Sequence, residues 1–206
     1  MSGTRGADDP FSALVVSERG PAAVIRLARP AERNPLSVAT LEELDRAFTS
    51  LSARPDISAV VFTGTGDVFA SGADIRELGG LTPERVAEFA WRGQSLFRKI
   101  GDARQVTVAA VNGSCMGGGL DLALACRARV ASRRAVFAHP GARLGVITGW
   151  GGTQRLPRLV GAARALELFL TARRVSAEEA LDIGLISRLG DPALECALGV
   201  AGEAAK

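Results

Sequence analysis

Val111-Asn-Gly-Ser-Cys-Met-Gly-Gly-Gly-Leu-Asp-Leu-Ala123 is the stretch on which the reading of this chain turns. Before it lies Val106–Val111, an almost wholly apolar run of the kind that forms a strand buried on both faces. After it, Leu120–Cys126 reads as a helix. A glycine turn between a buried strand and a helix start leaves backbone N–H groups without intrahelical acceptors, and such groups favour negative charge on a ligand oxygen. The competing reading is a glycine turn required only for close packing. Other glycine motifs do not fit. Gly113 to Gly119 lacks the GxGxxG spacing and no acidic residue ends a following strand, which argues against dinucleotide binding. No glycine precedes Lys and Ser/Thr as in a P-loop, and Ser114 in NGSCMG is not a GxSxG elbow.

Outward from this turn, strands and helices alternate, which argues for an α/β fold. Leu14–Ser17 and Ala22–Leu27 flank Arg19-Gly20-Pro21 and read as a β-hairpin. From Ser37 the period becomes helical, with Leu41, Leu44, Ala47, Phe48 and Leu51 on one face and Pro55 as the stop. Ala59–Phe62 is a buried strand ending in the loop Gly64–Asp67. Thr82-Pro83 opens a helix whose apolar stripe is Val86, Phe89, Ala90, Gly93, Phe97 and Ile100. Ala128–Ala131 is a further strand. Helical segments follow around Leu156–Val160 and Ala163–Thr171, and Ser176-Ala-Glu-Glu179 is a capping box. Residues 1–10 read as a disordered leader, 11–190 as one core domain and 191–206 as a short C-terminal helix or tail.

With 47% hydrophobic and 23% charged residues among 206, the chain has material for a packed core. A net charge of +3, scattered arginines and the absence of tyrosine give no basic stripe with interleaved aromatics, so nucleic acid is not an expected partner. Three cysteines without a CxxC pair and a single histidine give no zinc site, and no metal is expected. The reduced thiols, the lack of an apolar signal segment and the lack of a membrane-length run lead us to expect a soluble, cytoplasmic protein without a membrane partner.

Four segments together, FASGADIREL, AAVNGSCMGGGLDLALAC, FAHPGARLGVITGWGGTQRLPRLVG and LTARRVSAEEALDIGLI, resemble the enoyl-CoA hydratase/isomerase (crotonase) family. The likeness runs without gaps from about Val15 to Ser187. It implies a spiral of ββα units with two roughly perpendicular sheets. It also implies an oxyanion hole made by the backbone N–H groups of Ala73 and Gly118, which would hold the thioester carbonyl of an acyl-CoA. Asp74, Ile75 and Trp150 would then lie along the substrate, with Arg33 and Arg76 near the CoA phosphates. Solvated surface charge is the alternative for both arginines. No cofactor is implied beyond the coenzyme A carried by the substrate, and family members are commonly trimers or dimers of trimers, so a homo-oligomer is expected.

The same motifs depart from the family at the acid/base positions. Family hydratases carry two glutamates; here Asp121 stands at the first position and Gly141 at the second. Asp121 is shorter by one methylene and Gly141 can move no proton. Three functions therefore stay open. One is an enolate-stabilising isomerase, decarboxylase or slow hydratase using Asp121 alone. Another is an acyl-CoA-binding relative with little turnover. The third is a decarboxylase or hydrolase with a recruited group, chiefly His139; Cys115 reads as core filler. Trp150 stands where the family has something small, either narrowing the acyl pocket or packing a lid. Family members continue for several tens of residues past the GLI segment, whereas Asp191–Lys206 remain here.

Overall fold

The computed structural model describes residues 11–204; the leader expected over residues 1–10 lies outside them. The chain opens with the hairpin β1 (Leu14–Arg19) and β2 (Ala22–Leu27), paired antiparallel from Leu14↔Leu27 to Arg19↔Ala22. Gly20 takes a positive φ at its turn, as a tight reversal requires. A turn through Arg33 and Asn34, both at positive φ, leads to the two-residue strand β3 (Pro35–Leu36). There Asn34 uses its side chain as a clamp, accepting from Arg29 N–H (2.8 Å) and donating to the carbonyls of Val68 and Phe69. Asparagine tolerates this left-handed conformation because its short amide bonds locally.

Helix α1 (Val38–Ser52) starts as expected, with the Ser37 hydroxyl accepting from Thr40 N–H, and ends just short of Pro55. Its face of Leu41, Leu44, Ala47, Phe48 and Leu51 is buried. Strand β4 (Ala59–Thr63) is buried throughout, and β5 (Val68–Ala70) and β6 (Gly72–Ala73) follow. A short α2 (Ile75–Gly79) precedes α3 (Pro83–Gly101). The first turns of α3 depart from the expected stripe: Val86 is exposed, and burial begins at Gly93 and runs through Leu96, Phe97 and Ile100. Thr82 makes no cap bond to the helix backbone, because its hydroxyl is drawn to the Glu84 carboxylate.

The deciding stretch folds as β7 (Val106–Val111), β8 (Ser114–Met116) and α4 (Gly118–Ala125), so the helix begins two residues earlier than the sequence suggested. Helix α4 is apolar apart from Asp121 and is buried from Gly119 onward, as a helix in the middle of a core must be. After it come β9 (Ala128–Ala131), β10 (Val136–Ala138) and a 3₁₀ turn over Pro140–Leu144. The remainder is α5 (Gly152–Val160), α6 (Ala162–Thr171), β11 (Val175–Ser176), α7 (Ala177–Asp182), β12 (Arg188–Leu189) and α8 (Ala193–Ala204). Ser176 caps α7 by accepting from Glu179 N–H (3.2 Å). The Glu179 carboxylate does not complete the box, since Arg173 takes it in two hydrogen bonds.

Strands form a six-stranded sheet, ordered β1-β2-β4-β7-β9-β12 and parallel from β2 onward, and a four-stranded sheet, β11-β10-β8-β5. A two-stranded ribbon of β3 and β6 stands apart from both. Ala193, Ala197 and Ala201 form a stripe at i, i+4 and i+8 on α8 and pack with Val24, Val61, Val108 and Val130 of the large sheet. Methyl side chains at that spacing let helix and sheet approach closely. The other, larger core joins α1, α3 and α4 to residues of both sheets and of α5 and α6. No helix among the described residues is long and apolar enough to cross a membrane.

Candidate active site

Two backbone turns meet at the floor of a cleft of about 680 Å³. One is β6, carried on the ribbon by Leu36↔Ala73 pairing; the other is the start of α4. They lie so close that a Cβ placed on Gly72 would stand 2.8 Å from the Met116 carbonyl and 3.0 Å from Gly118 N. A Cβ on Gly118 would be 3.3 Å from Ala73 N. Gly72 (φ +96°) and Gly117 (φ +51°) both hold conformations that L side chains seldom take, so glycine is required twice over. The Gly118 amide belongs to the first turn of α4, where N–H groups have no acceptor within the helix.

Trp150 forms the adjoining wall. It is 3% exposed, yet it faces the cleft. Its indole lies against Gly118 and Gly93, each of whose Cβ positions would fall 2.5 Å from a ring atom. The ring stacks at a tilt on Phe89 (5.3 Å), meets Phe97 edge-on (5.9 Å) and donates from Nε1 to the Phe89 carbonyl (3.3 Å). Ile75, Val86, Leu144, Val146, Ile147 and Leu170 are the exposed apolar residues of the cleft's rim and outer wall.

Asp121 lies one turn into α4 and is 0% exposed. Thr148 donates its hydroxyl to Oδ2, and the Trp150 N–H also points to the carboxyl. Burial pushes the carboxyl up to about 7, against the Thr148 bond, the field of Arg155 and the nearby backbone amide of Trp150. Across the cleft floor His139 Nε2 stands 3.4 Å from Asp121 Oδ1. The register of β10 on β8, with Ala138 opposite Met116, delivers His139 to the first turn of α4. His139 is 4% exposed, packs on Phe169 of α6 (5.0 Å) and is pushed by burial down to about 4. Thr148 lies in one of the family-like segments without having been singled out, and Phe169 lies outside them; the fold brings both here.

Gly141 lines the same cleft but has no space for a side chain, because a Cβ there would meet the Val146 carbonyl at 2.5 Å. The Val146 N–H bonds back to the Gly141 carbonyl (3.0 Å), so the turn closes on itself at this point. Arg33 and Arg76 are outside the cleft. Arg33 reaches the Ser114 hydroxyl (3.3 Å). Arg76 is 73% exposed and grips Asp74 with two hydrogen bonds of 3.0 and 2.7 Å, which hold that carboxyl below its ordinary value. Cys115 is fully buried, and desolvation pushes its thiol well up, so it stays protonated. No cluster of potential metal ligands occurs among the described residues.

Residues 18–193 match the family described as enoyl-CoA hydratase/isomerase. The chain belongs to that family. Its relatives include the short-chain-enoyl-CoA hydratase of Clostridium acetobutylicum, 37% identical over 180 residues, which are 87% of this chain and 69% of that one. The crotonyl-CoA hydratase of Syntrophomonas wolfei is 38% identical over 183 residues, 88% of this chain and 70% of the relative. Among solved structures, an enoyl-CoA hydratase from Geobacillus kaustophilus superposes with a TM-score of 0.89 at 36% identity, covering 96% of this chain and 77% of that one. Pseudomonas aeruginosa DspI gives 0.87 at 36% identity, covering 97% and 83%. This family member therefore has the crotonase fold that its motifs implied.

Proposed function

We propose that this protein binds an acyl-CoA thioester with its acyl chain in the apolar cleft and its carbonyl oxygen between the amides of Ala73 and Gly118. The observation that carries this reading is the convergence of β6 and the α4 start at the cleft floor. When an α-proton leaves, negative charge moves to the thioester oxygen, and two preorganised donors in a dry site stabilise it; removing one such donor typically costs about 3–4 kcal/mol. Asp121 is the acid/base, and its raised pKa, near 7, suits a group that must both take and return a proton at neutral pH. Reactions needing an enolate and a single proton carrier fit best, of which double-bond isomerisation is the simplest. Arg33 and Arg76 would serve the CoA phosphates only after Arg76 exchanges its Asp74 partner for phosphate.

A second reading is an acyl-CoA binder with little turnover. It is favoured by the complete burial of Asp121 and by the lack of space at Gly141. Thermal unfolding with acyl-CoA thioesters, free CoA and NAD tests the shared premise, since a ligand of the native state alone stabilises it by RT ln(1 + [L]/Kd). Thioesters should raise the midpoint more than free CoA, with no response to NAD. A preference for NAD, or no thioester response, would overturn both readings. Conversion of 3-enoyl to 2-enoyl thioesters then separates them, because a pure binder shows none.

A further inference from the structure

Two buried polar atoms face each other where the cleft floor meets its wall, with no hydrogen-bond partner among the described residues: Asp121 Oδ1 and His139 Nε2, 3.4 Å apart. They already stand within hydrogen-bond distance but are not aligned, and leaving both unsatisfied costs more than the small turn of the side chains that would join them, so a shared proton is the arrangement of lower energy. The remaining carboxylate oxygen is occupied by Thr148, and the imidazole is held by the β10 register and by Phe169. Both residues border the cleft beside Gly118.

We propose that Asp121 and His139 act as one proton-sharing acid/base pair, with the histidine carrying part of the proton transfer that no side chain at Gly141 can perform. The proposal rests on the acyl-CoA reading above for its substrate. In the step it describes, the α-carbon's C–H bond breaks and its electron pair passes into the thioester enolate. The proton goes to the pair and resides on the carboxyl or the imidazole. Return of one proton to carbon, at the same or the conjugate position, restores the pair without any other reactant. Around the pair, α5 contributes the charge of Arg155, β8 the protonated thiol of Cys115, and the loop before α5 the neutral Thr148 and Trp150; α6 contributes only Phe169. With the carboxyl raised to about 7 and the imidazole lowered to about 4, the imidazole is neutral from about pH 4 upward, and the carboxyl, the stronger base of the two, is free to accept a proton only above about pH 7.

Because the chain has one histidine, ¹⁵N-histidine labelling gives a single imidazole to follow in the whole protein. Its ring nitrogens should report a neutral imidazole from pH 5 to 8, with a step near about 7 that disappears in Asp121→Asn. Free titration near the ordinary histidine value of about 6.5, unchanged by Asp121→Asn, would sink the pair. The second measurement follows exchange of the α-protons of butyryl-CoA in D₂O by NMR, with binding read by calorimetry. Exchange should rise with pH through about 7, and His139→Gln should lower it at least tenfold without weakening binding. The double variant should lose no more than either single one, as for groups acting as a unit. Exchange in His139→Gln within twofold of the unmodified protein would leave Asp121 acting alone and refute the pair. Absence of butyryl-CoA binding by the unmodified protein would instead refute the acyl-CoA reading, and the titration, which needs no ligand, would still decide the pair.

Discussion

The cleft has two sides built on opposite plans. The floor is backbone: Gly72, Ala73, Gly117 and Gly118, set by a parallel register and locked where neighbours leave no volume for a Cβ. The wall from His139 to Trp150 is a 3₁₀ turn and coil, with Leu144, Val146 and Ile147 exposed. Stabilising negative charge asks only for amides held in place, so a floor of small residues suffices and cannot be varied without disturbing the core. Moving a proton asks for a titratable side chain within hydrogen-bond reach, and that demand falls on the part of the wall where Gly141 stands.

The largest expected effect comes from disturbing the helix start directly behind the floor. A Cβ at Gly119 would lie 2.5 Å from the Ala70 carbonyl and 2.7 Å from its Cβ, so Gly119→Val should cost about 3 kcal/mol or more, or prevent folding. In the wall, Gly145→Ala meets nothing within 4 Å and loses only what its positive φ costs, about 1 kcal/mol. Chemical denaturation of the two variants measures the contrast, and equal losses would remove it.

Next is the pH dependence of stability. The folded Asp121 carboxyl is raised from 3.8 to about 7, so its contribution is full below about 3.8 and is lost as pH rises through about 7. The folded His139 imidazole is lowered from 6.5 to about 4, so its contribution is full above about 6.5 and is lost as pH falls towards about 4. Across pH 4 to 6.5 the two slopes oppose each other, because folding moves a proton from imidazole to carboxyl without changing the number bound. Removing the imidazole in His139→Gln should unmask the other slope. Stability should then fall by up to about 4 kcal/mol between pH 4 and 7, where the unmodified protein stays nearly level. Urea titrations across that range provide the check, and parallel profiles for the two proteins would count against it.

A third effect lies in hydration. With Gly141 and the shorter Asp121, crotonyl-CoA hydration should be at least about 10²-fold slower than in a relative carrying both glutamates, a difference read directly from kcat/KM. Fast hydration would mean that the wall holds a water-activating group other than a carboxylate at 141.

The smallest effect is expected from attempted repair. Asp121→Glu with Gly141→Glu should raise hydration by no more than about tenfold, since residue 141 must first push the Val146 carbonyl away. Relieving the loop with Gly inserted after Val146 should increase the gain, and a gain of about 10² without it would show that the wall yields freely.

Most of the floor was legible in the sequence, and less of the wall. The apolar run Val106–Val111 and the largely apolar helix after it read as a strand and helix in the core with a glycine turn between them, and the family resemblance then singled out Gly118 within that turn. The helix start at Gly118 was missed because glycine carries no helical signal. The Val86 stripe failed because the first turns of α3 border an open cleft, where apolar periodicity no longer implies burial. His139 could be named as the only histidine, but its meeting with Asp121 depends on parallel pairing of β10 with β8, a register that no local pattern encodes. Two-residue strands such as β3 and β6 are too short for periodicity to reveal, although they carry Ala73.

Trp150 on Gly118 also makes the cleft optically addressable. The chain has two tryptophans and no tyrosine, and the other, Trp91, is 67% exposed on α3. Emission therefore divides into a blue-shifted component from the indole of the cleft wall and a red-shifted one from the surface. Iodide should extinguish only the latter. A carbonyl seated beside Gly118 would touch the first ring and leave the second unaltered, so the blue edge of the unmodified protein's own fluorescence reports occupancy of the cleft without a label.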